Sequence, residues 1–203
     1  LAAELVENGE ADLILLGRGL IAEPDWPLLV QQDRLDEIRP CIACNACVDL
    51  VGRGERARCA VNPEVGRELT WSVAPAARPR RVMVVGSGPA GLEAARIARL
   101  RGHDVSIWER DTSLGGKLEV AGLAPSKREV LRFKAFQAAR LAALGVDIHT
   151  ASPVSAATIR SERPDVVVIA TGADPLLPPI PGIDGPIVHD AQAILRGEIP
   201  VGP

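Results

Sequence analysis

The segment RVMVVGSGPAG, residues 81–91, constrains the fold more than any other stretch of the chain. The apolar run Val82–Val85 reads as a buried strand, and glycines 86, 88 and 91 follow it directly. In a GxGxxG turn the first glycine permits a tight bend and the second lets the backbone approach a pyrophosphate. The third lets the following helix pack closely on the sheet. That helix is expected to run to about Arg101, presenting free N–H groups and a positive dipole end to the phosphates. Asp104–Trp108 reads as the next strand and ends at Glu109, 18 residues after Gly91. A carboxylate there can accept hydrogen bonds from a ribose hydroxyl. Strand, turn, helix and acid together point to a dinucleotide-binding unit rather than to a glycine turn without a ligand.

The elements beyond it extend the same pattern. A long helix fits Ser126–Leu144, with Leu131, Ala135, Ala138 and Ala142 at helical spacing. Val146–His149 reads as a third strand. Asp165–Ala170 (DVVVIA) reads as a fourth, and its unbroken apolar character predicts burial on both faces. Residues 175–186 form a Pro-rich loop. On the N-terminal side VAPAARPRR, residues 73–81, marks a linker, with Arg78, Arg80 and Arg81 as its solvated basic cluster.

All four cysteines, Cys41, Cys44, Cys47 and Cys59, fall within 19 residues. A disulfide framework suits neither this crowding nor a chain that shows no signal peptide. Four thiolates can hold a structural zinc ion, although zinc ribbons usually place them as two separated CxxC pairs. Three close thiols with one distant partner fit a four-iron cluster better, and zinc remains the alternative. Residues 39–66 are otherwise aperiodic and read as a loop organised by its ligands.

The first residues read as an α/β repeat: a helix end over residues 1–9, a strand at Asp12–Leu16 (DLILL), and a turn at Gly17-Arg18-Gly19. A short helix at Leu20–Glu23 follows, and then a helix over Asp25–Gln32 with Pro24 at its start. Backbone N–H groups and a guanidinium at Gly17 and Arg18 suit a phosphate; a plain turn with a surface arginine is the competing reading. The chain opens without Met and closes without a terminal element, so an internal fragment of a longer, cytoplasmic polypeptide is expected. A net charge of -3 gives no support to nucleic-acid or anionic-membrane binding. No apolar run reaches the about 20 residues of a membrane span. With two Phe, three Trp and no Tyr, the core must come from Val, Leu, Ile and Ala. Trp26, Trp71 and Trp108 read as packing anchors, and His103, His149 and His189 as surface or structural residues.

Two further features, Leu114-Gly115-Gly116-Lys117-Leu118 and Ala170-Thr171-Gly172, complete a recognisable set. Residues 80–190 resemble the FAD-binding domain of the two-dinucleotide-domain flavoprotein reductases. The resemblance implies FAD contacts at Gly86, Gly88, Pro89, Ala90, Gly91, Glu109, Arg110, Gly116, Lys117, Ala170, Thr171 and Gly172. It adds Val154 at a position that often meets adenine. Lys117 departs from the glutamine usual in that family.

ADLILLGRGLIAEPDWP resembles the last strand and turn of the old yellow enzyme barrel, which implies an FMN phosphate at Gly17 and Arg18. RPCIACNAC…CAVNP resembles the cluster segment of the 2,4-dienoyl-CoA reductase and trimethylamine dehydrogenase group. The implied fold is α/β: the end of a (β/α)8 barrel (1–38), a cluster loop (39–72), a linker (73–80) and an incomplete FAD/NAD(P)-binding Rossmann-like domain (81–203).

The implied activity passes electrons from NAD(P)H through FAD and a 4Fe-4S cluster to FMN, which reduces an activated C=C bond of an enoate or 2,4-dienoyl-CoA. The partner is a small-molecule substrate, with homo-oligomer formation left open. No catalytic protonating residue is visible, and the isolated segment is expected to be inactive. An amine-dehydrogenase-like enzyme with structural ADP, or a zinc-stabilised nucleotide-binding module without activity, are the alternatives.

Overall fold

The computed structural model describes residues 2–71 and 73–200. The chain divides into two compact units, Leu1–Trp71 and Ser72–Pro203. Among the described residues no helix is long and apolar enough to cross a membrane.

The first unit is built from short helices: α1 (Ala2–Glu7), α2 (Arg18–Ala22), α3 (Trp26–Gln31), a 3-10 turn (Leu35–Glu37) and α4 (Ala46–Gly52). Three sequence expectations are corrected here. Asp12–Leu16 is not a strand. A strand holds its shape by exchanging N–H and C=O groups with a neighbour, and no pairing involves these residues among the described ones. Leu13 and Leu15 accordingly stand 89% and 98% exposed. The cysteine segment, expected to be loop throughout, contains α4. Asn45 takes a left-handed conformation (φ 59°), and its carbonyl accepts the Asp49 N–H at 3.0 Å, starting the helix that buries Cys47. In α3 the proline of the first turn is Pro27 rather than Pro24.

The second unit carries a parallel sheet in the order β3-β2-β1-β4, formed by β1 (Arg81–Val85), β2 (Asp104–Trp108), β3 (Asp147–His149) and β4 (Val166–Ile169). Helix α5 (Pro89–Leu100) connects β1 to β2. The long α7 (Arg128–Ala143) precedes β3. Side chains alternate between the faces of a strand. Val82, Val84, Val105 and Ile107 therefore share one face, where they pack with Leu92 and Ala95 of α5 and Leu141 of α7. Ala76 N–H donates to the Arg101 carbonyl at 2.8 Å, so the Pro/Ala-rich linker is fastened to the end of α5.

The fourth strand departs from expectation. Val166 and Ile169 are 36% and 66% exposed rather than buried on both faces. Among the described residues β4 is the edge of this sheet and pairs with β1 alone. Three short helices were not anticipated: α6 (Lys117–Leu123), α8 (Ala156–Glu162) and α9 (Ala191–Leu195). α8 starts on a capping box between Ser155 and Thr158, and α9 on the Asp190 carboxylate, which accepts the Gln192 and Ala193 N–H groups.

The core centred on β1 and β2 generates a direct test. Leu141 is 1% exposed among these valines and isoleucines. Leu141→Ala is expected to lower the unfolding free energy of the second unit by about 2–5 kcal/mol. Denaturant titration monitored by circular dichroism measures it.

Candidate functional site

A cleft of about 910 Å³ lies in the second unit, and its lining includes Val85 at the end of β1 and Ala170 just past β4. From β1 the chain moves to β2 on one side of the sheet and later returns to β4 on the other. The carboxyl ends of strands at such a reversal are where open α/β sheets bind ligands. The volume suits a cofactor-sized molecule.

The cleft gathers nearly every expected nucleotide residue of this unit. Gly86, Gly88, Pro89 and Ala90 form the floor at the start of α5. Glu109 and Arg110 follow β2, and Gly116 and Lys117 open α6. Val154 follows β3, and Ala170, Thr171 and Gly172 follow β4. Gly91 does not line it, and the packing explains why. A Cβ on Gly91 would stand 2.0 Å from the Gly86 carbonyl oxygen, and one on Gly86 would stand 2.4 Å from the Ala170 oxygen. A Cβ on Gly88 would meet nothing within 4 Å. The outer glycines face protein and the middle one faces open space, leaving room for a ligand beside the backbone. Pro89 has no N–H and the Leu92 N–H bonds to the Gly88 carbonyl, which leaves the Ala90 and Gly91 N–H groups as the helix-start donors.

Glu109 is 6% exposed and tied to the turn. Its Oε2 accepts the Ser87 N–H at 2.8 Å and the Ser87 hydroxyl at 2.6 Å, and its Oε1 accepts the Asp111 N–H at 3.0 Å. Ser87, itself fully buried, accepts the Gly115 N–H on its hydroxyl and on its carbonyl. Burial alone would push the Glu109 carboxyl up. The hydrogen bonds from Ser87, Asp111 and Arg110 outweigh it, and its pKa is lowered from the ordinary value. Oε1 keeps acceptor capacity for a hydroxyl, since a carboxylate offers about four lone-pair sites.

Lys117 donates its ammonium to the Ala173 carbonyl, linking the start of α6 to the loop after β4. Trp108 lines the cleft and stacks on His149 at 4.0 Å between ring centroids, and His149 bonds to Asp147. His103 accepts the Arg80 N–H, a structural role. Sequence reasoning missed Ser87 and the stretch from Asp190 to Glu198, of which Asp190, Gln192, Ala193, Arg196 and Glu198 reach the cleft. The Asp-then-helix signature at Asp190 was the available signal.

In the first unit Gly17 precedes α2 and Arg18 opens it. Gly17-Arg18-Gly19, expected as a turn ahead of a helix at Leu20, is instead the entry and first residues of α2, and an added Cβ at Gly17 or Gly19 meets nothing within 4 Å, so this helix start has free space beside it. The Arg18 Nη1 donates to Asn45 Oδ1 at 2.5 Å. The four cysteines are free thiols: Cys47 is buried, Cys41 and Cys59 are half-buried and Cys44 is exposed. The Ala43 N–H points at the Cys41 sulfur at 3.4 Å. Among the described residues no three His, Cys, Asp or Glu side chains are gathered as a site for a single metal ion. Four soft thiols within 19 residues, Cys47 among them on α4 and an N–H directed at the Cys41 sulfur, suit a thiolate-bound cluster or metal ion in their chemistry.

The family described as pyridine nucleotide-disulphide oxidoreductase matches residues 80–201. An NADH oxidase of Thermoanaerobacter brockii is 39% identical over 203 residues, covering 98% of this chain and 31% of the relative. A cinnamate reductase of Clostridium sporogenes is 34% identical, covering 100% of this chain and 30% of the relative. The solved complex of 2-naphthoyl-CoA reductase with 2-naphthoyl-CoA matches with a TM-score of 0.92 at 37% identity, over 99% of this chain and 31% of that one. The chain thus spans about a third of the length of the curated relatives it matches.

The glycines and Glu109 generate two expectations. Gly88 has an ordinary φ of -63°, so Gly88→Ala should leave thermal stability near wild type and weaken ADP binding. Gly91→Ala should destabilise the unit itself, and calorimetry with and without ADP separates the two effects. For Glu109, a lowered pKa means stability that is present above the ordinary carboxylate range and lost as pH falls through the folded-state value. Glu109→Gln should cost about 1–3 kcal/mol at pH 7. The gap from wild type should shrink on acidification, read by urea unfolding at pH 7 and at pH 3.

Proposed function

The chain belongs to the pyridine nucleotide-disulphide oxidoreductase family, with relatives of the 2,4-dienoyl-CoA reductase/trimethylamine dehydrogenase type, and from that premise we propose that it is the FAD- and cluster-bearing part of an NAD(P)H-dependent flavin oxidoreductase acting on activated C=C bonds. The observation that carries this reading is the glycine turn, whose middle member faces open cleft while its neighbours are closed against protein. A backbone so arranged lets a pyrophosphate approach closely at that point.

In this reading Gly86, Gly88, Pro89, Ala90 and Gly91 shape the pyrophosphate cradle, and the Ala90 and Gly91 N–H groups donate to it. Glu109 receives a ribose hydroxyl on Oε1, the acceptor that Ser87 leaves available. Arg110 and Val154 flank the adenosine half. Gly116 lets the start of α6 lie against Gly88, with an added Cβ only 3.2 Å from the Gly88 Cα. Lys117, Ala170, Thr171 and Gly172 form the opposite wall. Cys41, Cys44, Cys47 and Cys59 hold a 4Fe-4S cluster, and Gly17 and Arg18 hold the FMN phosphate. When bound, FAD supplies two-electron exchange with NAD(P)H, the cluster one-electron exchange, and FMN hydride delivery to the C=C bond.

The C=C specificity draws on the cinnamate reductase and the 2-naphthoyl-CoA reductase, whose names describe conjugated acids and thioesters. Residues 1–38 then belong to a barrel and 39–72 to a cluster loop. Thiols free of disulfides suit a reducing cytoplasm.

The test uses full-length protein prepared without oxygen. About four iron and matching acid-labile sulfide per chain are expected, together with FAD and FMN. NAD(P)H should bleach both flavins, and an enoate or dienoyl-CoA should restore their colour. ADP in place of FAD, with no response to NAD(P)H, would move the reading to an amine dehydrogenase. Zinc without iron or sulfide would end the cluster assignment.

A further inference from the structure

We propose that Asn45, inside the cysteine segment, is the positioning residue for the Arg18 guanidinium, so that the loop carrying the thiols also sets the geometry of phosphate capture. This deepens the assignment of Arg18 to the FMN phosphate and rests on it. Asn45 lies 27 positions after Arg18 and between Cys44 and Cys47, and its Oδ1 accepts the Arg18 Nη1 at 2.5 Å. A guanidinium carries five donors in one plane. Holding one of them restricts where the guanidinium can swing and leaves its other edges to grip phosphate oxygens in the paired geometry that arginine favours.

Asn45 is itself held in place. Its backbone is left-handed (φ 59°, ψ 7°), a conformation asparagine tolerates better than most residues. Its carbonyl starts α4, the helix that buries Cys47. The other end of α2 is fastened to the same loop from both flanks. Ahead of Cys41, Arg39 donates its N–H to Glu23 Oε2 and its guanidinium to the Ala22 carbonyl, both at 3.4 Å. Past Cys59, the buried Asn62 donates its amide to the Ile21 carbonyl at 3.2 Å. The cysteine loop thus grips α2 before, between and after its thiols, and Arg18 stands on the gripped helix. Ordering the loop orders the arginine.

The test uses full-length protein stripped of FMN and titrated with FMN and with riboflavin, which has the same ring and no phosphate. Flavin fluorescence quenching reads the affinity, and iron content is measured in parallel. Asn45→Gly keeps the left-handed backbone and removes the acceptor. It should weaken FMN binding roughly tenfold, the scale of a hydrogen bond to a charged group, and leave riboflavin affinity and iron unchanged.

Arg18→Ala should weaken FMN binding at least as much, and the double variant no further than Arg18→Ala alone. If Arg18→Ala weakens FMN binding but Asn45→Gly does not, or if Asn45→Gly weakens both flavins equally, the role of Asn45 is overturned and Arg18 keeps its assignment. If Arg18→Ala binds FMN like wild type, the assignment of Arg18 itself falls. Should Asn45→Gly lose iron, iron-stripped wild type takes its place: selective loss of FMN over riboflavin supports the proposal, and equal loss overturns it.

Discussion

The second unit turns on how closely α5 is allowed to approach β1. Three backbone segments meet there: the end of β1 at Gly86, the first turn of α5 at Gly91, and the residue after β4 at Ala170. A single methyl group at Gly91 or Gly86 would overlap a carbonyl oxygen. Because none is present, the next turn of α5 can set Leu92 and Ala95 against Val82, Val84 and Ile107. Each such large side chain contributes about 1.5–3 kcal/mol on burial. The fold and the cleft therefore share one cause. The sheet-side glycines bring the helix in, and Gly88, at the same turn, is left facing outward as the cradle.

The Ser87–Glu109 pair couples that turn to the second strand. A buried carboxylate left without partners would be costly or neutral. Here Ser87 and Asp111 supply N–H and O–H donors that hold it ionised, and the Gly115 N–H closes the network onto Ser87. Glu109 is then at once a brace between two loops and the acid at the mouth of the cleft. A residue read from sequence only as a ribose acceptor also holds the turn in shape.

What was legible in the sequence follows the same logic. β1, α5 and β2 fall where the residues predict because local pattern, turn chemistry and packing agree there. Apolar runs without tertiary context misled twice. DVVVIA looks doubly buried, yet an edge position leaves Val166 and Ile169 exposed, and DLILL has strand composition but no pairing partner among the described residues. The helix at Ala46–Gly52 carries no sequence signal beyond its cysteine spacing, because its start depends on the left-handed backbone of Asn45, which composition does not announce. The packing role of Gly91 is the one the third glycine of such a turn predicts; what needs distances is that its Cα lies against the Gly86 carbonyl and not along the cleft lining. The Arg18–Asn45 bond joins residues 27 positions apart and had no local signal at all.

The first unit poses a different physical problem. Its buried apolar side chains among the described residues are Ala22, Leu29, Cys47 and Val61, with the polar Asn62 beside them. A helix of five residues such as α2 is far below the length that sustains itself in water. Its order comes instead from the tethers at Glu23, Ala22, Ile21 and Arg18, all of which run to the cysteine segment. A group bound by those thiols adds its binding free energy to the order of the segment, and through the tethers to the order of α2. Linkage is reciprocal: on the proposed assignments, whatever binding at the thiols adds to the affinity of Arg18 for a phosphate, the phosphate adds to binding at the thiols. On the proposed assignments, the order of the thiol segment and the order of Arg18 are coupled through four hydrogen bonds, of which the one from Arg18 to Asn45 is the only one to reach the guanidinium directly among the described residues.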